Sequence, residues 1–405
     1  MMMKCKVIFL SNFLDEATRV SRKIDTDSPA CSRKILMMAK ALLSYDKHLP
    51  LILSMGRGRQ SNTQTIFYRY LTKAVDGIQV IYAPFYSSGL LSYLVSVLSL
   101  SYLLFKIRFQ YPATSFKLIA WNRTNAYLFP LLVAKLLFFQ IYLDLEDSDY
   151  LLKHQELRNI LLIIRSHLYT FLCNSGILLS TKYLFDPFYP QKQIVYYGYL
   201  DRTTSLISDE VISSPSQYSS IQFLFCGTLT EQAGADTLLN CLHLMKVYQS
   251  CFDAPLVFHI CGSGPYLPLF REFSSNEAFP YVVVHDRLTN RDFSGLLKTI
   301  DISLALKKVS GYLSTTTFPS KVLELSGEAH FIITTDVSDV KEVIGELSAA
   351  YLPDDSPYTL LTTIIECVQN IRSIRENVFR NTSILRDSYS IESARALLLS
   401  FFDIP

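Results

Sequence analysis

Two doubly wound α/β domains in tandem are predicted for this chain, on three observations. Short β-branched runs alternate with helical patterns along two separate stretches, which predicts parallel strands covered on both faces by helices. A polar, serine-rich segment at 202–220, "RTTSLISDEVISSPSQYSS", separates the two alternating sets. The 405 residues, 49 % hydrophobic and only 18 % charged, suffice for two cores of ordinary size.

In the first set, residues 1–201, "KVIFLS" reads as strand one, followed by a charged loop. "SPACSRKILMMAKALLSYDK" reads as a helix, with Ser28 as N-cap, Pro29 at N1 and apolar residues at helical spacing. "LPLILSMGRG", "GIQVIYAPF" and "FKLIAWNR" supply three further strands. The helix "NAYLFPLLVAKLL" leads into the strand "FFQIYLDLED"; a helix over 151–172 then precedes "GILLSTKYL" and "QIVYYGYLD". The second set, 221–385, runs "IQFLFCGTL" (strand), "GADTLLNCLHLMKVYQ" (helix), "PLVFHICGSGP" (strand into a glycine loop), "YLPLFREF" (helix) and "PYVVVHDRL" (strand). It continues through helix "DFSGLLKTI", strand "DISLAL", the stretch "STTTFPSKVLELSGE" and strand "HFIITTD". The tail from Tyr358 to Phe402 reads as helices, the last of which, about 386–405, is expected to pack back on the first domain.

Composition narrows the function classes. A net charge of +2 gives no global bias toward nucleic acid. The eight cysteines form no C-x-x-C pair and no metal-like spacing with histidine, which fits reduced thiols in a cytoplasmic protein. The opening "MMMKCKVIFLSNF" has too short an apolar run for a signal peptide and reads as a buried strand. The most hydrophobic stretch, Gly89–Phe109, is borderline in length for a span and carries serines and tyrosines throughout. A buried or membrane-surface helix ending in Lys106 and Arg108 is the expectation, with peripheral attachment to the membrane.

Three features of the second domain fall after strand ends, where doubly wound sheets place ligands. Gly227-Thr228-Leu229 follows "FLFC", Gly262-Ser263-Gly264-Pro265 follows "VFHIC", and Pro319-Ser320-Lys321 opens the helix carrying Glu324. Small residues let backbone N–H groups approach a pyrophosphate, and a carboxylate one turn into a helix accepts hydrogen bonds from ribose hydroxyls. Each feature alone has a plainer reading, a turn for "GSGP" and a helix start for Pro319. Their order and spacing carry the signal.

In these features residues 221–345 resemble the nucleotide-sugar-binding domain of GT-B glycosyltransferases, particularly the family-4 group. Shared are a strand ending in a G-x-L turn, an "h-h-x-G-x-G-P" loop, the strand at Ile300-Asp301-Ile302, "FPSK-h-h-E", and a strand ending near Thr334–Val337. The first half resembles the acceptor-binding domain more loosely, through "SPACSRKILMMAKALLS" and "LILSMGRGRQ". The resemblance implies that Glu324 binds the donor ribose, that Ser320 and Lys321 face the diphosphate, and that Gly227, Gly262, Gly264 and Pro265 line the nucleotide. Lys321 and Glu324 are the residues it implies for catalysis. The chain departs from the pattern in three places. Thr316 stands where the motif has its first glutamate, Thr228 and Ala233 stand where it has an arginine and a lysine, and Ser11-Asn12 replace a glycine pair. Arg287 or the Lys307–Lys308 pair are the other cations available for a diphosphate.

Two readings of acidic and basic clusters in the first domain stay open. Asp147-Ser148-Asp149 is a D-x-D after an apolar strand, the pattern by which GT-A glycosyltransferases hold a divalent cation, and equally an acidic start to the next helix. The GT-B resemblance implies that Asp144 or Asp147 orients an acceptor hydroxyl. Arg19, Arg22 and Lys23, in the loop after strand one, are either at the cleft mouth or solvated. His48, His154 and His285 read as structural, with His285 alone at a donor-domain strand end.

The resemblance implies a glycosyltransferase that moves a sugar from a UDP- or GDP-linked donor to a glycan or lipid-linked acceptor. It further implies retention of configuration without a metal or other cofactor, in bacterial cell-surface polysaccharide or lipopolysaccharide synthesis. A nucleotide-sugar epimerase of the same fold and a catalytically silent binding protein are the alternatives.

Overall fold

In the first strand, Val7 and Phe9 point to one face of the sheet and Ile8 and Leu10 to the other, and all four are fully buried. That is what a central parallel strand requires, since helices cover both of its faces. A computed structural model of the chain describes residues 4–25, 27–46, 49–58, 66–87, 89–147, 156–187, 189–200, 220–275, 279–285, 288–310 and 313–404. By contacts the chain divides into two units, Met1–Tyr199 with Ile391–Pro405, and Leu200–Ser390. All of the serine-rich 202–220 segment except Ser220 lies outside the described residues.

The first unit holds β1 (Lys4–Ser11), β2 (Pro50–Ser54), β3 (Phe67–Tyr68), β4 (Leu71–Val75), β5 (Ile78–Tyr82) and β6 (Phe85–Tyr86). It continues with β7 (Thr114–Trp121), β8 (Gln140–Leu145), β9 (Gly176–Leu179) and β10 (Gln193–Val195). Its main sheet has eight strands in the order β10-β9-β8-β7-β1-β2-β5-β4, parallel except that β4 runs antiparallel to β5. The helices Gly89–Gln110, Leu128–Leu136 and Glu156–Leu172 share one core with Ile8, Leu10 and Leu118. On the opposite face Pro29–Leu43 and Ile391–Phe401 pack against Val7, Phe9 and Tyr142.

The second unit has β11 (Ile221–Thr228), β12 (Leu256–Ser263), β13 (Tyr281–His285), β14 (Ile302–Ala305), β15 (Phe331–Thr335) and β16 (Ala349–Leu352). They form one six-stranded parallel sheet, β13-β12-β11-β14-β15-β16. Phe223 and Phe258 stack across β11 and β12 with ring centroids 4.5 Å apart, both buried. Each such side chain contributes roughly 1.5–3 kcal/mol by leaving water.

Several local readings are corrected. The segment after β1, expected as a loop, contains the helix Glu16–Ser21, capped by the Asp15 carboxylate on the Thr18 N–H. Burial alone would raise the Asp15 carboxyl, but Lys73, Thr18 and Tyr82 hold it down to about 2. The two-residue β3 and β6 are too short to be read in the sequence, and the edge strand β4 has no fully buried residue and a lysine at its centre. The Ser28 cap appears as expected, accepting from the Cys31 N–H at 3.4 Å, with Pro29 opening the helix.

A buried histidine ties β14 to β15. His330, 1 % exposed, bonds the Ser303 hydroxyl through Nδ1 and the Leu297 carbonyl through Nε2, both at 2.8 Å. Burial lowers its pKa from 6.5 to about 4. The unfolded chain therefore binds a proton that the folded chain refuses across that interval, so stability falls as pH drops from 6.5 toward 4. A loss of about 3 kcal/mol is expected from this residue. Urea denaturation of the protein and of His330→Gln at pH 7 and pH 4.5 checks it: the pH-dependent loss should be smaller by most of that amount in the variant.

Candidate active site

The carboxyl ends of β11 and β12 interlock. Gly227 pairs with Gly262 and Thr228 with Ser263, and the Leu229 N–H then donates to the Ser263 carbonyl at 2.9 Å. Gly227, Gly262 and Gly264 all have positive φ (127°, 149° and 154°). A Cβ on Gly262 would lie 1.8 Å from the Gly227 carbonyl oxygen, and one on Gly264 would lie 2.4 Å from that of Leu229. Glycine is demanded twice here, by the backbone conformation and by the neighbouring backbone. Thr228, Ser263 and Pro265 are exposed along this edge.

Lys321 reaches the same place. Its Nζ donates to the Cys226 carbonyl at 2.9 Å and stands where a Gly227 Cβ would meet it at 2.3 Å. One of its three N–H donors is thereby used, and the ammonium is fixed over the end of β11. Lys321 opens the helix Lys321–Gly327, whose Val322, Leu323 and Leu325 are buried. That packing leaves Lys321 and Glu324, three positions apart on one side of the helix, both half-buried. Ser320 precedes the helix, exposed and without a side-chain capping bond. Pro319 is half-buried and Thr316 buried. Sequence reasoning passed over Thr317, whose carbonyl accepts from Lys307 Nζ at 3.1 Å and whose buried hydroxyl has no partner among the described residues. Nothing in its local sequence sets it apart from its threonine neighbours.

The other candidate cations divide. Lys308 is engaged by Asp236 at 2.7 Å and Asp355 at 3.2 Å, and is therefore a structural clamp. Arg287 lies outside the described residues. His285 pairs with His259 at 2.9 Å, and the other nitrogen of His259 bonds Gln222 Oε1 at 2.8 Å.

In the first unit, Arg22 turns inward. It is 3 % exposed and donates to the carbonyls of Gly56 (2.7 Å), Ala83 (3.2 Å) and Arg69 (3.1 Å), and burial lowers its pKa to about 10. Neither a solvated nor a ligand-facing Arg22 survives this. Arg19 bonds Glu16 and the Ile24 carbonyl. Asp144, fully buried at the end of β8, is held by Lys34 at 2.7 Å, and Lys34 also grips Glu146. Its second oxygen, Oδ2, has no partner among the described residues. One ammonium between two carboxylates neutralises only one of them, and burial raises the Asp144 carboxyl to about 7. Asp147 lies just beyond, with its own partners, while Ser148, Asp149, His48 and His154 lie outside the described residues.

The chain matches no protein-family model and no curated protein. Solved structures match it over nearly its whole length. Sucrose-phosphate synthase from Thermosynechococcus elongatus superposes with a TM-score of 0.66 at 10 % identity, covering 98 % of both chains. The catalytic domain of starch synthase IV from Arabidopsis thaliana, bound to ADP and acarbose, gives 0.66 at 10 % identity over 99 % of both. Anabaena HepE in complex with UDP gives 0.64 at 9 % identity, covering 98 % of this chain and 99 % of that one. The fold is GT-B. Each unit holds a largely or wholly parallel sheet, and the glycine edge of β11 and β12, with Lys321 over it, lies at the carboxyl end of the second.

Proposed function

We propose that this GT-B chain is a glycosyltransferase that takes a sugar from a nucleoside-diphosphate donor bound at the second unit. The observation that carries the reading is the Lys321 ammonium fixed over Gly227, beside a glycine edge into which no side chain fits. Backbone N–H groups approach a diphosphate closely only where Cβ atoms are absent. As the sugar leaves, negative charge builds on the diphosphate, and a positioned ammonium stabilises that charge more than the ground state. Glu324, on the same side of its helix, accepts hydrogen bonds from the ribose hydroxyls and so sets the register of the donor. Solved neighbours of the same fold in complex with UDP or ADP support nucleotide binding.

The finer reading is retention of configuration without a metal, on a glycan or lipid-linked glycan acceptor, in the cytoplasm at the membrane surface. Asp144, whose Oδ2 has no partner among the described residues and whose pKa is raised by burial, is the acceptor-side carboxyl in this reading. Incubation with UDP-, GDP- and ADP-sugars in excess EDTA tests it. Free nucleoside diphosphate is the expected product from one of them. An altered sugar still attached to its nucleotide would make the chain an epimerase, activity only after Mn²⁺ is restored would overturn the metal-free mechanism, and no turnover with nucleotide binding intact would leave a binding protein.

A further inference from the structure

In a doubly wound domain the helices bury one side against the sheet and present a polar side to water. One helical layer of the first unit breaks this rule. Along Gly89–Gln110 the buried side is supplied by Leu100, Leu103, Leu104 and Ile107. Yet Leu91, Leu98, Phe105 and Phe109 form a second stripe facing outward, each about half exposed or more. The next helix turns out Phe129 and Leu136, with Phe138 89 % exposed just beyond it. The third, Glu156–Leu172, turns out Leu157, Leu161, Ile164 and Phe171. Polar bonds tie the layer together: Arg108 Nε donates to the Leu137 carbonyl at 3.3 Å, and Lys135 Nζ to the Phe171 carbonyl at 2.6 Å. Outward apolar residues on three neighbouring helices are more than the singly scattered ones that need no explanation on a soluble domain.

Charge distinguishes what covers this face. Residues 77–143 contain no aspartate or glutamate; of their five cations Lys117 is buried in β7, and Lys106, Arg108 and Lys135 sit on the helices of this layer. Residues 157–185 likewise contain no acid, and carry Arg158, Arg165 and Lys182. Across the whole chain, 38 basic residues meet 36 acidic ones, so the two halves of that balance are segregated rather than mixed. At 100° per residue, Lys106 and Arg108 fall on opposite flanks of the outward apolar stripe, as cations do on a helix lying in a headgroup layer. Lys106 also lines a cavity of about 470 Å³ with Lys6, Gln79, Gln110 and Tyr111, floored by Leu103 and Ile107. Two ammonium groups and amide donors over an apolar floor suit a phosphate ester with an attached chain.

We propose that this three-helix face seats the first unit on an anionic bilayer, with a lipid phosphate in the Lys6–Lys106 cavity. The helix Gly89–Gln110 is long and apolar enough to cross a membrane. Its inner side, however, is part of the core, so it lies in the interface and does not span. The proposal takes up the membrane part of the sugar-transfer reading and gives it a surface and a lipid class. Its test involves no sugar, so the two fail separately.

The full chain is sedimented with vesicles of phosphatidylcholine alone and with 30 % phosphatidylglycerol, at low and at 0.5 M salt. Binding at least about tenfold stronger to the anionic vesicles, weakening with salt, is expected. Leu98→Ser combined with Phe129→Ser and Ile164→Ser, all outward-facing positions, should lower it by about tenfold or more, with circular dichroism unchanged. Lys6→Glu with Lys106→Glu should abolish the preference for anionic lipid and leave the weaker binding to neutral vesicles. Competition by millimolar inorganic phosphate that removes the anionic preference as fully as the double variant would assign the cavity to free phosphate and overturn the headgroup. A stable dimer dissociated by the serine variant, or no binding to either vesicle, would overturn the bilayer.

Discussion

Lys321→Ala is expected to lower turnover by roughly 10²–10³-fold, the cost of removing one fixed group from developing charge. The fold should survive, because the side chain is half-buried and its one described bond is to the Cys226 carbonyl. Glu324→Ala should also remove most activity, but mainly through weaker donor binding, since a ribose contact holds the ground state and the transition state alike. The two variants are thus distinguishable by steady-state kinetics: Lys321→Ala lowers kcat, whereas Glu324→Ala mainly raises KM for the donor. Circular dichroism on both, and a thermal shift with the cognate nucleoside diphosphate, separate loss of chemistry from loss of structure. Turnover within about threefold of the parent in both variants would remove these two residues from the site.

The second large effect is expected at Gly262. Alanine there places a methyl group 1.8 Å from the Gly227 carbonyl oxygen, in a backbone conformation with φ of 149°. One strand end must move, and the neighbouring strand is not a flexible side chain that can swing away. A loss of about 3 kcal/mol or more is expected, together with loss of nucleotide binding. Gly295→Ala serves as the control. It lies within the helix Asn290–Leu297, and nothing stands within 4 Å of its added Cβ, so it should stabilise by about 0.5–1 kcal/mol. Urea denaturation midpoints for the two variants should therefore move in opposite directions. A Gly262→Ala protein as stable as its parent would mean that the edge is not rigid.

What could be read in the sequence was local. Alternation of strand and helix patterns, the Ser28–Pro29 cap and the glycines after "FLFC" and "VFHIC" are all carried within a few residues of one another. What could not be read depends on partners far along the chain. Arg22 looks like any loop arginine until the carbonyls of Gly56, Arg69 and Ala83 are folded round it. Asp144 and Lys34 are 110 positions apart, and the strand ending in "LDLED" gives no sign of which carboxylate a lysine will take. Lys308 sits in a basic pair that reads as a phosphate ligand, but Asp236 and Asp355 hold it. The three apolar helices are the reverse case. The hydrophobicity of Gly89–Phe109 is evident in the sequence, but periodicity cannot say which of two apolar sides a sheet will cover.

The helix Ile391–Phe401 belongs to the first unit, although residues 200–390 form the other. Phe401 and Phe402 are fully buried, with ring centroids 5.0 Å from Tyr142, and a Cβ on Gly176 would meet Phe401 at 2.8 Å. Lys192 and Ser44 reach the same segment, at the Ser400 carbonyl and at Arg395. During synthesis, then, the first unit leaves the ribosome with a hole in its core where these aromatic rings belong. At about 5–20 residues per second, the intervening residues delay the missing helix by roughly 10–40 s. The second unit can be complete before the first, and the nascent first unit must wait with an open apolar face, available to chaperones or to other nascent copies. Completion of the first unit therefore depends on residues made after the whole of the second.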